Sequence, residues 1–358
     1  MAPEPDTSPF PMAAKPSLPP ARSKISDTGR YLQMFFLAAA ILMAAFHVRS
    51  DVFITFSVIF SAIVLEAFPF MLIGTLLGGF VEVFLSRDQL LRILPKEKKQ
   101  AVAVAAFMGI IFPVCECAIV PVVRKFIQKG MPLGSAVAFL LGGPIVNPLV
   151  FSSTLVAYSF AWDVAFLRVF IGVVIAMSIG LLTDACLSKK QALLPFSEQT
   201  GCACGHAGCT HTHGIDPHRS LGKKIMAALS HGAVDFYDIG RFLIIGAFIA
   251  AALQTLVPRQ AFMAIAQGPF AAITAMMALA VALNLCSEAD AFIAASFQPM
   301  GMPLSAQMAF MVLGPMLDIK LILMYLAVFT RRMIFFLAFQ VCLSVFLAMA
   351  FLEMAQWL

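Results

Sequence analysis

Charge is what this chain has least of. Asp, Glu, Lys and Arg make up 12% of its 358 residues, and 61% are hydrophobic. Soluble domains run near about 25% and about 45–50%, so an ordinary water-soluble domain is excluded. Strict apolar/polar alternation is lacking too: the apolar runs are continuous and helix-length, which argues against a β-barrel. The sequence holds no G-x-S-x-G, no phosphate-binding glycine loop with its lysine and no H-E-x-x-H. That gives no foothold to a serine hydrolase, an ATP-driven pump or a zinc protease, and the chain is expected not to be an enzyme. No basic run is interleaved with aromatics, so the net charge of +5 reads as topology and surface charge, with no nucleic-acid partner.

What is present is apolar length. Hydrophobic segments fall near 31–48, 53–85, 100–123, 131–157, 164–187, 233–257, 262–297, 302–329 and 333–357. Runs long enough to cross ~30 Å of hydrocarbon recur along the chain, so the expected fold class is all-α, a polytopic membrane protein whose first partner is the lipid bilayer. Residues 1–30, rich in Pro, Ser and Ala, read as a disordered tail. The run 31–48 reads as an extra, uncleaved transmembrane helix, because a long polar stretch precedes it and it has full span length. The only long polar interruption, 188–223, separates a first transmembrane repeat over 53–187 from a second over 233–357.

The two repeats share sequence. Residues 130–147 read GMPLGSAVAFLLGGPIVN and residues 301–318 read GMPLSAQMAFMVLGPMLD, an offset of 171. At that offset Cys115 meets Cys286, Cys117 meets Glu288 and Asn147 meets Asp318. Residues 70–74, FMLIG, match 242–246, FLIIG, at an offset of 172. A duplication of this kind inside an apolar chain is the sequence signature of a transporter built from two related halves.

Positive charge orients them. Lys15, Arg22, Lys24 and Arg30 put the tail in the cytoplasm, as do Arg87, Arg92, Lys96, Lys98 and Lys99 for the loop after 53–85, and Lys189, Lys190, Arg219, Lys223 and Lys224 for the central loop. Three apolar segments lie between the last two loops, so one of them must enter and leave on the same side. Residues 100–123, broken at Phe112-Pro113-Val114-Cys115-Glu116-Cys117, are the candidate re-entrant hairpin. Each half then crosses an odd number of times and the halves are inverted repeats, with a second hairpin near Asn284–Asp290 and a C-terminus outside. Arg49, Arg168 and Arg259 are the few basic residues left outside. The rival arrangement, nine full spans with parallel halves, puts the central loop outside.

Cys115-Glu116-Cys117 is the strongest chemical signal. Two soft thiols flanking a carboxylate suit a thiophilic metal or metalloid. The second hairpin keeps Cys286 and replaces the other thiol with Glu288, so the expected substrate site is asymmetric. Gly143-Pro144 and Gly314-Pro315 fall about midway along their helices, where proline removes a donor and frees carbonyls; Asn147 and Asp318 follow one turn later and are expected to face the same cavity. Asp318 and Lys320, two apart, are expected on different helix faces and not as partners. Cys202, Cys204, His206, Cys209, His211, His213 and His218 crowd one stretch of the central loop, and these residue types bind zinc or copper, although the spacing matches no zinc finger. No cofactor is required by any of these readings; zinc or copper on the loop is the one metal expected.

On Phe112-Pro113-Val114-Cys115-Glu116-Cys117 and Gly143-Pro144-Ile145-Val146-Asn147-Pro148 the chain resembles the permease family that includes the ArsP-type organoarsenical efflux permeases. It is most similar to the branch whose hairpin reads C-E-C, described as permeases of a two-component membrane complex. Glu116 stands where much of the family carries serine. The resemblance, over residues 50–355, implies a permease and a companion subunit. The reading is therefore a secondary transporter of the cytoplasmic membrane exporting a thiophilic metal or metalloid. The alternatives are a metal-sensing or scaffolding membrane subunit and a transporter of a non-metal solute.

Overall fold

The computed structural model describes Met34 and residues 51–84, 89–90, 92, 94–95, 97–112, 115–187, 192–193, 221–256 and 268–356. The expected tail, nearly all of the 31–48 helix and the Cys/His-rich part of the central loop lie outside the described residues. Among the described residues the regular elements are helices, and the one β-type contact is an isolated bridge between Leu193 and Phe329.

The first half runs α1 (Asp51–Phe84), α2 (Lys98–Phe107), α3 (Glu116–Gln128), α4 (Leu133–Gly142), α5 (Pro148–Ala157) and α6 (Trp162–Cys186). The second runs α7 (Leu221–Leu256), α8 (Pro269–Leu283), α9 (Ala289–Ser296), α10 (Leu304–Leu313), α11 (Ile319–Tyr325) and α12 (Arg331–Gln356). The order is the same in both: one long helix, two pairs of short helices each split by a break, and a closing long helix. Among the described residues, four stretches are long and apolar enough to cross a membrane, Asp51–Val81, Trp162–Cys186, Ile225–Thr255 and Arg331–Ala355. The short helices are not: α3, with 13 residues, spans about 20 Å of a ~30 Å core. Large apolar side chains such as Leu65, Phe170, Phe335 and Phe351 stand exposed on the long helices. Such a surface suits hydrocarbon and not water.

The shared motif explains itself locally. Gly130 and Gly301 both have positive φ, 103° and 79°, a conformation glycine adopts without a Cβ penalty, and each ends the preceding turn. Pro132 and Pro303 then cap the start of α4 and α10 in extended geometry. At the Gly-Pro positions both helices stop as expected, α4 at Gly142 and α10 at Leu313. The chain restarts behind a side-chain cap. Asn147 Oδ1 accepts from Leu149 N–H at 3.0 Å, and Asp318 Oδ1 accepts from Leu321 N–H at 2.6 Å. Proline deprives each helix of a donor, and the cap satisfies one of the donors exposed at the new N-terminus.

The N-termini of α4 and α10 are treated alike as well. Asp184 Oδ1, from α6, accepts from Gly134 N–H at 2.7 Å, and Glu353, from α12, accepts from the Ser305 hydroxyl. Gly134 and Ser305 are equivalent at the repeat offset. A carboxylate at a helix N-terminus is favoured by the orphan N–H groups and the helix dipole.

The equivalent long helices α1 and α7 pack on each other with opposed polarity. Phe56 and Phe60 meet Phe248, Phe68 meets Phe236, and Gly79 meets Ala228 and Gly232. Numbers rise along one helix as they fall along the other, so the axis relating the pair is perpendicular to them.

Close helix contact depends on glycine. A methyl group on Gly134 would run into the Gly180 carbonyl and the Asp184 carboxylate, whereas one on Gly222 would meet nothing within 4 Å. Gly134→Ala is expected to lower stability by about 1–3 kcal/mol, and Gly222→Ala to leave it unchanged or raise it slightly. Thermal unfolding of the two variants in the same detergent measures the difference.

Candidate functional site

The two hairpin breaks meet at the centre. In the first, α2 passes through a 3₁₀ turn, Met108–Ile110, and the chain resumes helix at Glu116 with Cys115 as N-cap. In the second, α8 ends on Asn284, whose φ of 50° is left-handed, and α9 begins at Ala289. Pro113 and Val114 lie outside the described residues. Ser287 Oγ donates to Glu116 Oε2 at 2.9 Å, with Ser287 N–H 3.4 Å from the same oxygen. Glu116 and Ser287 are 171 residues apart, the repeat offset itself. Glu116 thus touches the residue equivalent to itself in the other half.

Glu116 is also ion-paired. Lys320 Nζ is 3.2 Å from Glu116 Oε1 and 3.5 Å from Asp318 Oδ2. Glu116 is 1% exposed and Lys320 2%, so the pair is shielded from water. Lys320 is held in place twice more: its backbone N–H donates to Asn284 Oδ1 at 3.1 Å, and Gly246 on α7 lets its Cα approach where a side chain would collide.

The expectation that Asp318 and Lys320 are not partners is corrected here. Helical periodicity does not apply to Asp318, which is the extended N-cap of α11 with ψ of 174° and not a helical residue. Its carboxylate therefore turns back toward the lysine. Arg168, counted from the sequence among the basic residues on the outer side, is 1% exposed on α6. Its Nη1 donates to Thr154 Oγ1 at 2.8 Å and its Nη2 to the Ser287 and Met311 carbonyls at 3.1 and 3.0 Å. A charge count cannot separate a basic residue at a helix end from one paired inside the bundle.

The three thiols gather around the pair. Cys115, Cys117 and Cys286 are buried and free. Cys286 Sγ lies 2.6 Å from Glu288 Oε2, and Cys117 Sγ is 4.0 Å from Glu116 Oε1. With Asn284, Lys320 and Glu66 they line one cleft, whose apolar wall is Ile63, Ala67 and Phe70 on a single face of α1.

Of the expected site residues, the cleft takes Cys115, Glu116, Cys117 and Cys286 directly, Glu288 through Cys286, and Asp318 through Lys320. Asn147 is spent capping α5 and does not line it. Gly143 and Gly314 serve close approach. A methyl on Gly143 would lie 2.6 Å from Ile119 Cδ1, and one on Gly314 2.5 Å from Asp290 Oδ2. Pro144 and Pro315 mark the breaks. Cys202, Cys204, His206, Cys209, His211, His213 and His218 lie outside the described residues. Among the described residues no three of His, Cys, Asp and Glu converge as a metal site.

Lys320, Asn284, Ser287, Glu66 and Arg168 were not singled out from the sequence as site residues. The available signal was an ionisable or amide group within an otherwise apolar segment, which is a functional candidate by default.

Breaking the central pair on one side leaves an uncompensated buried charge. Lys320→Met and Glu116→Gln are each expected to destabilise by about 3–5 kcal/mol, and the double variant by much less than their sum. A double-mutant cycle by chemical unfolding in detergent gives the coupling; additive losses would mean that the pair is not formed.

Residues 53–353 match the family described as predicted permease. The chain is similar to the UPF0718 protein YcgR of Bacillus subtilis, 40% identical over 285 residues that cover 80% of this chain and 92% of that one. It is similar to a Streptococcus mutans protein named as a subunit of a two-component membrane permease complex, 38% identical over 276 residues, 77% of this chain and 87% of that one. A shorter match, 29% over 114 residues, reaches the UPF0718 protein YraQ of Escherichia coli and covers 31% of this chain and 32% of that one. No solved structure matches.

Proposed function

The chain belongs to the predicted permease family, and on that premise we propose that it is a secondary transporter, multi-pass in the cytoplasmic membrane, that exports a thiophilic metal or metalloid species through the Cys115–Cys117–Cys286 cleft. The observation that supports this reading is that Cys115 and Cys117 of the first half and Cys286 of the second line one cleft together with Glu116. Soft thiolate ligands select soft ions and metalloids, and the same species are poorly held by oxygen ligands alone. In the alternative, a non-metal solute uses the same cleft.

Glu116 has a natural alternation in this mechanism. In the structure it is bonded to Lys320 and Ser287. A soft solute held by the thiols draws Glu116 toward itself, and Lys320 keeps Asp318 as its counter-charge, 3.5 Å away. No buried charge is then left alone at any stage, the condition that makes such a movement affordable in a low-dielectric interior. Solute binding is thereby linked to the contact between the halves, because Ser287 and Lys320 belong to the second half and Glu116 to the first.

The opposed polarity of α1 and α7 supports inverted halves. If both helices lie along the membrane normal, the axis relating them lies in the membrane plane. We carry the rest of the topology with it: a cytoplasmic central loop that collects metal through its Cys and His residues, and a C-terminus outside. The name of the Streptococcus mutans relative supports a companion subunit for this chain too. No chemical reaction is assigned to the cleft.

Flux into proteoliposomes, measured for Zn²⁺, Cu⁺, arsenite and methylated arsenicals, tests the reading. Cys115→Ser and Cys117→Ser are each expected to cut flux of the transported species by at least roughly tenfold with unchanged protein in the membrane. Undiminished flux in both rejects the thiol site. Reporter labelling at residue 205 from the cytoplasmic side and at the C-terminus from outside is expected; a periplasmic signal at 205 rejects the inverted topology.

A further inference from the structure

Arg168 is a fully buried cation that the exchange at Glu116 does not use, and its partners are unusual. One acceptor is the Met311 carbonyl, 3.0 Å from Nη2. Met311 is four residues before Pro315, so its carbonyl is the one that an uninterrupted α-helix would bond to the N–H of residue 315, and proline has none. The other acceptor of Nη2 is the Ser287 carbonyl at 3.1 Å, in the break between α8 and α9. A single nitrogen therefore holds a carbonyl from each of the two broken elements of the second half. The third bond, from Nη1 to Thr154 Oγ1 at 2.8 Å, ties them to α5 of the first half.

Carboxylates surround the same place. Asp290 is 1% exposed, its carboxylate lies against Gly314 at the Gly-Pro break, and its Oδ2 has no hydrogen-bond partner among the described residues. Glu288 Oε1 is buried and without a partner in the same sense. Carbonyls freed at discontinuous helices, with carboxylates close by, form the donor set that coordinates a mobile cation in transporters of this general build. In this chain a guanidinium on a side chain stands there.

The first half has no counterpart. Residue 339, equivalent to Arg168 at the repeat offset, is Phe339, and it is exposed. The residue equivalent to Asp290 is Ile119, which fills the matching space against Gly143. Arg168, reaching across from α6 of the first half, and Asp290 thus meet at the breaks of the second half, and the positions equivalent to them, Phe339 and Ile119, are both apolar.

We propose that Arg168 is a tethered cation that occupies a cation site formed by the two breaks of the second half, so that these breaks are held without a mobile coupling ion. It is a positioning residue: it touches no thiol and acts through the Ser287 carbonyl on the segment that carries Cys286. When the side chain is cut back, the site is expected to accept a small cation of matching shape. The proposal rests on the permease reading only for the idea of coupling. Its test reads the breaks directly, so a chain that moved no metal at all would leave it standing.

Alkylation of Cys286 by N-ethylmaleimide, followed by peptide mass spectrometry on the purified full chain in nanodiscs, gives the readout. The wild-type rate is expected to be the same in sodium, potassium and choline buffers. Arg168→Ala is expected to react roughly tenfold faster, as local opening becomes easier, and guanidinium or methylguanidinium, but not choline, is expected to bring the rate back. An unchanged rate in Arg168→Ala, or an acceleration that neither guanidinium compound reverses, overturns the proposal. So does a sodium-dependent rate in the wild type, which remains measurable if the alanine variant fails to fold. Arg168→Lys, which keeps the charge but not the fork of donors, is expected to fall between the two; a rate equal to that of the alanine variant would count against a cationic role.

Discussion

A carboxylate and an ammonium group share the middle of this fold, and the surrounding architecture answers to that pair. Glu116 and Lys320 come from different halves and both are almost wholly buried. Removing two charges from water is costly, and mutual attraction offsets it only when the remaining hydrogen-bonding capacity is satisfied. An unbroken helix could not satisfy it, because its backbone donors are already committed to its own ladder. The breaks supply what is needed: Ser287 at one interruption donates to Glu116, Asn284 at the same interruption fixes the backbone of Lys320, and Asp318 at another provides the second counter-charge. The interruptions are thus what permits ionic groups to exist at this depth.

The duplication fixes geometry, and divergence within it supplies chemistry. Equivalent glycines make equivalent turns, equivalent positions cap the restart of α5 and α11, and a carboxylate from the closing helix meets the N-terminus of α4 and of α10. The cap is where geometry and charge part company, because Asn147 is neutral and Asp318 is also a counter-charge of Lys320. The central positions are different. Lys320 is equivalent to Leu149, Asp290 to Ile119, Glu288 to Cys117 and Ser287 to Glu116. A two-fold arrangement of identical residues would place Glu116 against a second glutamate on the axis, and like charges in contact at low dielectric repel strongly. The serine in the second copy, with a lysine nearby, converts that repulsion into a bond.

Much of this was legible in the sequence. Apolar length gave the all-helical fold class, and proline at Pro144 and Pro315 gave the broken helices, because a missing donor is a covalent fact that no tertiary context restores. The Cys115-Glu116-Cys117 cluster marked the cleft. What escaped was set by backbone conformation and by distant partners. Asp318 and Lys320 were separated by a helical rule that fails at a residue still in extended geometry. Asn284 takes a left-handed conformation at the end of α8, which its position in an apolar run does not announce. Arg168 was counted only as a basic residue on the outer side, and two of its three acceptors lie 119 and 143 residues away along the chain. Local patterns carry no information about a bond made at that separation.

The buried cations make the two halves unequal in what can move. Lys320 has two carboxylates within reach, so it can lose one partner and keep another. Its bonds form a switch with a remaining state on either side. Arg168 has three neutral acceptors on three elements, α5, the α8–α9 break and α10. Those bonds act together: displacing any one element strains the other two through a rigid planar fork. Elements joined in that way shift as a group or not at all. Under the proposed transport, motion at the cleft would cost least at the Lys320–Glu116 contact and along the α1–α7 packing. There glycines, not charged side chains, set the approach of the helices, and a change of contact does not strand a charge.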